Sequence, residues 1–593
     1  MRLLRALRIV VTLWLGAKPR RAVLVGIGIP CRQLAGFIGA ATISLLADAA
    51  LQRQVRLAVL AALLGAAWVL AQGALAVFTD RRRSQLHEEI FNQAWLETST
   101  RVASAPGLRH LEEPAILDRL KLLLNDCGHV AAGFWFVAML LGFVLQLAAI
   151  VSVLARIDLI LLLLPLFALP SLVGVGIAQS LRARADTETA EQARLRDRLA
   201  ELARTPAGGR EARLFGIGEE LASRVRMLAA AVSGRLDRAE RLGALIQTGG
   251  WLILAAGYLG ALVLVTERAL TSRATPGQLL FTLIAAQQIQ GLVASAVGIV
   301  QSLQGVLRSA LRIEWLYAYA DRARPVIRAP VEIPGRLSRG IELQSVSFCY
   351  PGTERTVLDG VSALLPAGSV VALVGENGAG KTTLVKLLCR FYEPTSGRIL
   401  VDGEQLASMP IEAWRRRITA AFQDYARFEL RCRESVGIGD LRRLEDVPFI
   451  EGALARAGAG DVATALPLGL ESQLGAQWRG GVDLSGGQWQ RVALARGLMR
   501  DIPLLQVFDE PTSNLDPRAE HELFTRLARA ARSDRGQRQV TILVSHRFST
   551  VRMADLIVVL DSGRIREQGT HEELIARGEL YAELYGLQAA SYG

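Results

Sequence analysis

Over the first 300 residues the apolar positions gather into six long blocks, near 22–46, 57–79, 130–154, 159–179, 243–265 and 279–300. Each block is long enough for the about 20 mostly apolar residues with which a helix crosses a bilayer. The two long stretches that separate them, roughly 80–129 and 180–242, are charged, rich in Ala, Leu, Glu and Arg, and nearly free of Gly and Pro except at their middles. That composition favours helix, and about 25 residues at about 1.5 Å each carry a limb close to 40 Å beyond the membrane. Each stretch therefore predicts a helix out, a turn and a helix back, with turns near Pro106 and Gly107 and near Pro206, Gly208 and Gly209. Just past the turns lie two short amphipathic pieces, LEEPAILDRL (111–120) and EARLFGIGEEL (211–221). An apolar tip such as Leu214 and Phe215, held away from the bilayer, needs a surface to dock against. From about Val331 the pattern changes to short β-rich runs alternating with helices, after a linker holding Pro325, Pro330 and Pro334. The expected organisation is an all-α six-helix membrane domain with long cytoplasmic extensions (1–325), a linker (326–340) and an α/β domain (341–593).

Composition sharpens this division. Of 593 residues 51% are hydrophobic, yet the formal charge is +12, and the mean hydropathy is +0.29. A disordered or collagen-like chain is excluded by that apolar content and by the absence of a strict glycine repeat. The basic excess is arginine, since the lysines are Lys18, Lys121, Lys381 and Lys386 alone. Net positive charge fits a nucleic-acid binder or a membrane protein with basic cytoplasmic loops, and the position of the charge favours the second. Arg81, Arg82 and Arg83 follow the second block, and thirteen arginines lie between Arg182 and Arg241 after the fourth, whereas the opposite connections are short. The expectation is a multi-pass protein of the inner, cytoplasmic membrane with both termini cytoplasmic, the lipid bilayer as a partner and no nucleic acid. The apolar run from Ile9 to Gly16, behind Arg2, Arg5 and Arg8, is too short for a span and reads as an uncleaved amphipathic entry helix. Cys31, Cys127, Cys349, Cys389 and Cys432 form no C-x-x-C pair, so neither a disulfide framework nor a zinc site is indicated. Polar residues inside spans are costly. Arg32 reads either as an ion-paired residue or as part of a water-filled pathway, and Gln287, Gln288 and Gln290 as interhelical hydrogen bonders.

The chemistry is written in the second half. After the run Val370 to Val374 come Gly375, Glu376, Asn377, Gly378, Ala379, Gly380, Lys381 and Thr382, followed by Thr383 and a helical segment. This is G-x-x-x-x-G-K-[ST] in strand, loop, helix context: backbone N–H groups turn toward phosphate oxygens at a helix N-terminus, Lys381 reaches the β and γ phosphates, and the Thr382 hydroxyl ligates magnesium. A second apolar run, 504–508, ends in Asp509 and Glu510, placed to hold the metal shell and to polarise an attacking water. Gln506 stands inside that run where an apolar residue is expected.

Leu484 to Gln488 read LSGGQ, which resembles the signature of ATP-binding cassette (ABC) proteins. With the phosphate loop, the acid pair, Tyr350 in VSFCYPG, Gln423 in AAFQD, Ser513 and Asp516 in SNLD, and His546 in LVSHR, seven elements stand in family order. The resemblance extends over the chain, because six spans and one cassette are the layout of an ABC exporter half-transporter. It implies ATP and Mg2+ as cofactors, with Tyr350 stacking on adenine, Gln423 joining Thr382 and Asp509 around the metal, and Glu510, His546 and Gln423 serving hydrolysis. It also implies that Ser485, Gly486, Gly487 and Gln488 contact ATP held by another subunit, that Ser513 and Asp516 line the dimer interface, and that 111–120 and 211–221 are coupling helices. One chain carries one signature and one phosphate loop, so a second copy is expected, with a different half-transporter as the alternative. Where many exporters have a glutamate-containing segment before the signature, which the resemblance implies senses the coupling helices, this chain has Gln477, Trp478, Arg479, Gly480 and Gly481, an altered chemistry that bears on coupling.

The function so implied is ATP-driven export of a hydrophobic or amphipathic substrate, such as a drug, a lipid, or a peptide or secondary metabolite. The alternatives are an ATP-dependent importer or ATP-gated membrane protein on the same fold, and, in another class, a non-transport ABC ATPase. The six blocks weigh against the last.

Overall fold

Among the described residues six helices are long and apolar enough to cross a membrane. The computed structural model describes every residue except 1, 17, 272, 273, 325, 326, 328, 502, 511–524, 526–537, 546 and 593. Its contacts divide the chain into two units, Met1–Ala103 with Arg119–Tyr319, and Ser104–Asp118 with Ala320–Gly593.

The first unit holds the helices α1 (Arg2–Gly16), α2 (Pro19–Leu51), α3 (Val55–Ala103), α6 (Leu169–Arg204), α7 (Pro206–Leu214) and α8 (Gly218–Leu270) and most of α5 (Pro114–Ile157) and α9 (Pro276–Ala323), while α4 (Arg109–Glu112), residues 114–118 of α5 and residues 320–323 of α9 lie in the second. The entry helix α1 buries Ala6, Val10 and Leu13 and leaves Leu3, Leu4 and Leu7 exposed. Its Trp14 indole N–H donates to the Val130 carbonyl at 2.8 Å. The block expected as one helix over 159–179 begins as a 3-10 helix, Leu159–Ala168, and becomes α-helical only in α6. Pro165 lies within the tight stretch and Pro170 at the start of α6, where each removes a backbone donor. Along α8, Gly243, Gly250 and Gly257 recur every seven residues and face α6 and the 3-10 stretch. A Cβ at these positions would come within 2.7 Å of Ala178, 2.6 Å of Ser171 and 2.4 Å of Phe167. In hydrocarbon, where the hydrophobic effect does not drive helices together, such close backbone approach supplies the attraction.

Arg32 pairs with Asp80 of α3 at 3.0 Å. Gln288 is an interhelical bridge as expected: it accepts from Gln146 of α5 at 3.1 Å and donates to the Gly36 carbonyl of α2 at 2.7 Å. Gln287 and Gln290 are exposed. The two short amphipathic pieces have other boundaries than the sequence pattern predicts. Glu113 is extended, so 111–120 is split between α4 and the start of α5. The break near Pro206 falls one residue earlier, at Thr205, which caps α7 through its hydroxyl to the Gly208 N–H at 3.2 Å. Helix α7 then stops at Phe215, and Gly216 takes a left-handed φ of 66°, so 211–221 is split between α7 and α8. Amphipathic periodicity alone could not locate these corners.

Among the described residues the second unit contains two sheets. One is antiparallel, in the order β2 (Thr356–Pro366), β1 (Gly340–Cys349), β4 (Ser396–Val401), β5 (Glu404–Gln405). The other runs β10 (Arg564–Gly569), β9 (Leu556–Asp561), β3 (Val370–Val374), β8 (Val540–Val544), β7 (Leu505–Asp509), β6 (Ile418–Ala421), parallel except for β10. All residues of β3, β7 and β8 are buried, the near-continuous apolar pattern of strands covered on both faces. One core joins Ile341, Phe348 and Leu358 of the first sheet to Val371, Leu373, Val507 and Ile542 of the second, with Leu384 and Leu388 of α10 (Lys381–Leu388) between them. At roughly 1.5–3 kcal/mol for each fully buried large apolar side chain, this packing fixes the strand ends that carry the site. A separate cluster centred on Trp489, Val492, Val436 and Ile450 holds the helical part around the signature. The described cysteines are all free.

The tip of the first long connection, Ser104–Asp118, belongs to this unit. Leu108 packs on its core, and Arg415 donates to the Pro106 carbonyl. Gly107 fits closely: a Cβ there would lie 3.1 Å from the Phe391 carbonyl oxygen.

Candidate functional site

Strand β3 lies between β8 and β9 and delivers the phosphate loop to the carboxyl end of the parallel sheet. Two glycines make the turn feasible. Gly375 has φ 152°, and a Cβ there would stand 2.1 Å from the Leu560 carbonyl oxygen. Gly380 has φ 105° and precedes α10, where a Cβ would stand 2.6 Å from Leu358 Cδ2. Any side chain at either position would push the loop off the sheet. Lys381 opens α10 and folds back over the loop, donating to the carbonyls of Gly375 at 2.7 Å and Glu376 at 2.9 Å. Burial pushes its ammonium below the ordinary lysine range, against the opposing pull of the Glu510 and Asp509 carboxylates. Such a cation gains from an arriving anion twice, by neutralisation and by replacement of weak carbonyl partners.

The expected acids end β7. Asp509 is 3% exposed; burial raises its carboxyl above the ordinary range, Glu510 and Asp424 add to that, and a hydrogen bond with Thr382 and the charge of Lys381 oppose it. Glu510 has a left-handed φ of 46°, rare for a residue with a Cβ, and its N–H donates to the Val544 carbonyl at 3.0 Å. Strain of this kind persists only where the surroundings over-determine it, and here it turns the side chain from the sheet toward the site.

A cavity of about 570 Å³ is lined by Tyr350, Asn377, Gly378, Gly380, Lys381, Thr382, Thr383, Gln423 and Glu510. The structure thus places Tyr350, five residues of the phosphate loop (Asn377, Gly378, Gly380, Lys381 and Thr382), Gln423 and Glu510 around one cavity, with Asp509 bonded behind Thr382. Tyr350 is braced edge-on by Phe348 and Tyr392, with centroids at 4.9 and 5.4 Å, and its hydroxyl lies 3.0 Å from Thr383 Oγ1. Carboxylate, hydroxyl and amide oxygens are a donor set for a hard cation such as magnesium, which takes few protein ligands and completes its shell with phosphate and water. Among the described residues no group of three His, Cys, Asp or Glu could form a cage of its own.

Thr353, Arg355 and Ser562 also line the cavity and were not singled out by the motifs. Arg355, in the turn before β2, carried only its charge as a signal. Gln506, the polar intruder in β7, accepts from the Thr541 hydroxyl of β8 at 3.3 Å. Ser485 caps the helix Gly486–Gly497 in a capping box with Gln488: Ser485 N–H donates to the amide oxygen at 2.9 Å, and Gln488 N–H to the hydroxyl at 3.3 Å. The hydroxyl is thus engaged within its own turn, and the N–H groups of Gly486 and Gly487 occupy the first turn, where a helix offers no internal acceptor. Ser485, Gly486, Gly487 and Gln488 do not line the cavity of their own chain. In 477–481, Gln477 and Trp478 both donate to the Glu429 carboxylate, Trp478 at 2.9 Å. The segment has no carboxylate of its own and engages that of Glu429. Ser513, Asp516 and His546 lie outside the described residues.

Residues 358–513 match the family model described as ABC transporter. The chain is 33% identical over 384 residues to an ATP-dependent lipid A-core flippase of Xylella fastidiosa (strain 9a5c), which is 64% of this chain and 62% of that protein. It is 36% identical over 339 residues to the protein of the same description from Chromobacterium violaceum, 57% of this chain and 55% of that one. The chain therefore spans somewhat over half the length of these relatives. A solved structure, that of a bacterial Atm1-family ABC exporter with ATP bound, shares the fold with a TM-score of 0.76 at 23% identity, over 97% of this chain and 99% of that one.

Proposed function

We propose that this chain, whose residues 358–513 match the ABC transporter family model, is an exporter subunit of that family that hydrolyses ATP to move an amphipathic, lipid-like substrate across the inner membrane. The observation that carries this reading is the convergence of Lys381, Thr382, Gln423 and Glu510 on the cavity that Tyr350 borders. The loop amides and Lys381 hold the triphosphate, Tyr350 stacks on the base, and Thr382, Asp509 and Gln423 hold Mg2+. That ion, when bound, offsets charge on the β and γ phosphates. Glu510 orients and polarises the attacking water, assisted by His546.

The cavity lacks the signature residues of its own chain. In this reading a second copy supplies them, with Ser513 and Asp516 at the interface, so hydrolysis belongs to a homodimer. ATP binds the closed pair better than the open one and so shifts the population between them. Both termini face the cytoplasm, as the arginine-rich connections favour. The lipid-like cargo rests on the description of the relatives and on the apolar character of the first unit.

The test is Glu510→Gln in protein reconstituted into liposomes. The variant is expected to bind ATP with Mg2+ as the wild type does, while hydrolysis and movement of a labelled amphipathic lipid both stop. Hydrolysis at the wild-type rate removes Glu510 from its role, and hydrolysis without lipid movement removes the cargo assignment.

A further inference from the structure

The Glu112 carboxylate, at the end of α4 in the tip of the first cytoplasmic connection, is shared by two groups of the second unit. Lys386 Nζ on α10 donates to it at 2.7 Å, and the Tyr392 hydroxyl donates to its other oxygen. Both donors also touch Tyr350: Lys386 Nζ lies over its ring 5.5 Å from the centroid, and the Tyr392 ring meets it edge-on at 5.4 Å with an interplanar angle of 85°. Thr383, which pairs with the Tyr350 hydroxyl, lies on the same helix as Lys386.

A single ion pair of this exposure, with 37% of the Glu112 side chain and 23% of that of Lys386 accessible, adds little stability by itself. Its interest is in what else the two donors hold. A cation over an aromatic face attracts the ring, more strongly as the cation is desolvated. Burial lowers the Lys386 pKa, yet the net shift is upward through the bond to Glu112 and the nearby Tyr350 and Glu112 charges. The ammonium is therefore kept charged while partly withdrawn from water.

We infer that Glu112 is a positioning residue for Tyr350: through Lys386 and Tyr392 it fixes the ring on which the adenine base stacks. This rests on the ATP-binding reading above and extends it, because it couples the base end of the nucleotide, and not only its phosphates, to the first cytoplasmic connection. Coupling free energies are reciprocal, so base stacking in turn favours the docked state of Ser104–Asp118, which continues in sequence into α3 on one side and α5 on the other.

The experiment uses the full chain in lipid nanodiscs and compares ATP with inorganic tripolyphosphate, which engages the phosphate loop and has no base. Glu112→Gln keeps the shape and removes the charge. The expected result is a rise in KM for ATP of roughly three- to tenfold with kcat changed less than about twofold. Tripolyphosphate affinity, read by displacement of a fluorescent ATP analogue, stays at the wild-type value, and Glu112→Asp restores part of the loss. Lys386→Met is expected to give the same pattern and serves if Glu112→Gln does not fold. In a Tyr350→Ala background Glu112→Gln is expected to have no additional effect. Equal weakening of ATP and tripolyphosphate, an undiminished effect without the tyrosine, or an unchanged KM each overturns the inference. Absence of ATP binding by the wild-type chain overturns the functional reading as well, and is told apart by that first measurement.

Discussion

The Trp478 indole N–H donates to the Glu429 carboxylate at 2.9 Å, and the Gln477 side-chain amide donates to the same oxygen. Two donors from the segment before the signature thus converge on one acceptor in the stretch after Gln423. The Gly475 backbone, at φ 98°, comes so near that a Cβ there would lie 2.7 Å from the Glu429 carboxyl carbon. Trp478 remains 53% exposed, so the hydrogen bond rather than burial orients its ring.

Glu429→Ala is therefore expected to loosen 477–481 while leaving the phosphate loop and the acid pair intact. Charge-assisted hydrogen bonds at a half-exposed site contribute about 1 kcal/mol, too little to unfold the unit. Basal ATP hydrolysis should stay within about twofold of the wild type, because 1 kcal/mol corresponds to less than a tenfold effect even if fully expressed. Stimulation of hydrolysis by an amphipathic lipid should fall sharply. A titration of ATPase rate against lipid checks this, and full stimulation in the variant contradicts a coupling role for the segment.

The second prediction follows from Asp509. Burial raises its carboxyl pKa in the folded protein, so the folded state holds the proton more tightly than the unfolded chain does. The sign is then fixed. The stabilisation is fully present below the ordinary aspartate range, near pH 4, and is lost as pH rises through the elevated folded value. Above the ordinary aspartate range the buried carboxyl is therefore a net cost to the nucleotide-free protein relative to its low-pH contribution. Asp509→Asn should accordingly melt at a higher temperature than the wild type near pH 7 without nucleotide, with the difference shrinking toward pH 4. Its Mg2+-dependent hydrolysis should drop on the order of a hundredfold or more. Thermal unfolding at several pH values, beside an ATPase assay, reads both.

Much of the site is legible in the sequence because its chemistry is local. The phosphate loop needs Gly375 and Gly380 within a few residues of Lys381, and the left-handed φ values and tight Cβ environments explain why those positions are glycine. Spans are legible for a related reason, since block length is set by bilayer thickness. What escapes is long-range pairing. No local pattern predicts that Glu112 meets Lys386 across 274 positions, or that Asp48 accepts from the Thr275 hydroxyl at 2.8 Å and the Gly277 N–H at 2.7 Å to cap α9. Helix corners escape too. Thr205, Glu113 and Gly216 end helices through capping and backbone angles, which the apolar periodicity on either side does not record.

Gln506 gives the third prediction, because here an apparent flaw in the apolar pattern has a partner. It lies in β7 opposite Thr541 of β8, 8% exposed against 3%, and accepts from the Thr541 hydroxyl at 3.3 Å. Removing one member of a buried pair strands the other at the cost of its desolvation, about 1–3 kcal/mol, whereas replacing both with apolar groups of similar shape is nearly neutral. Gln506→Leu alone should therefore lower the melting temperature, and so should Thr541→Val alone. The double variant should recover most of the loss, because no polar atom of the pair is then left without its acceptor or donor. A double-mutant cycle on thermal unfolding measures that recovery directly. If the two losses simply add, the hydrogen bond is not what retains a glutamine in this strand. Gln506 would then be held by its contacts within the sheet, and ATP binding at the neighbouring Asp509 and Glu510 would be the next quantity to compare between Gln506→Leu and the wild type.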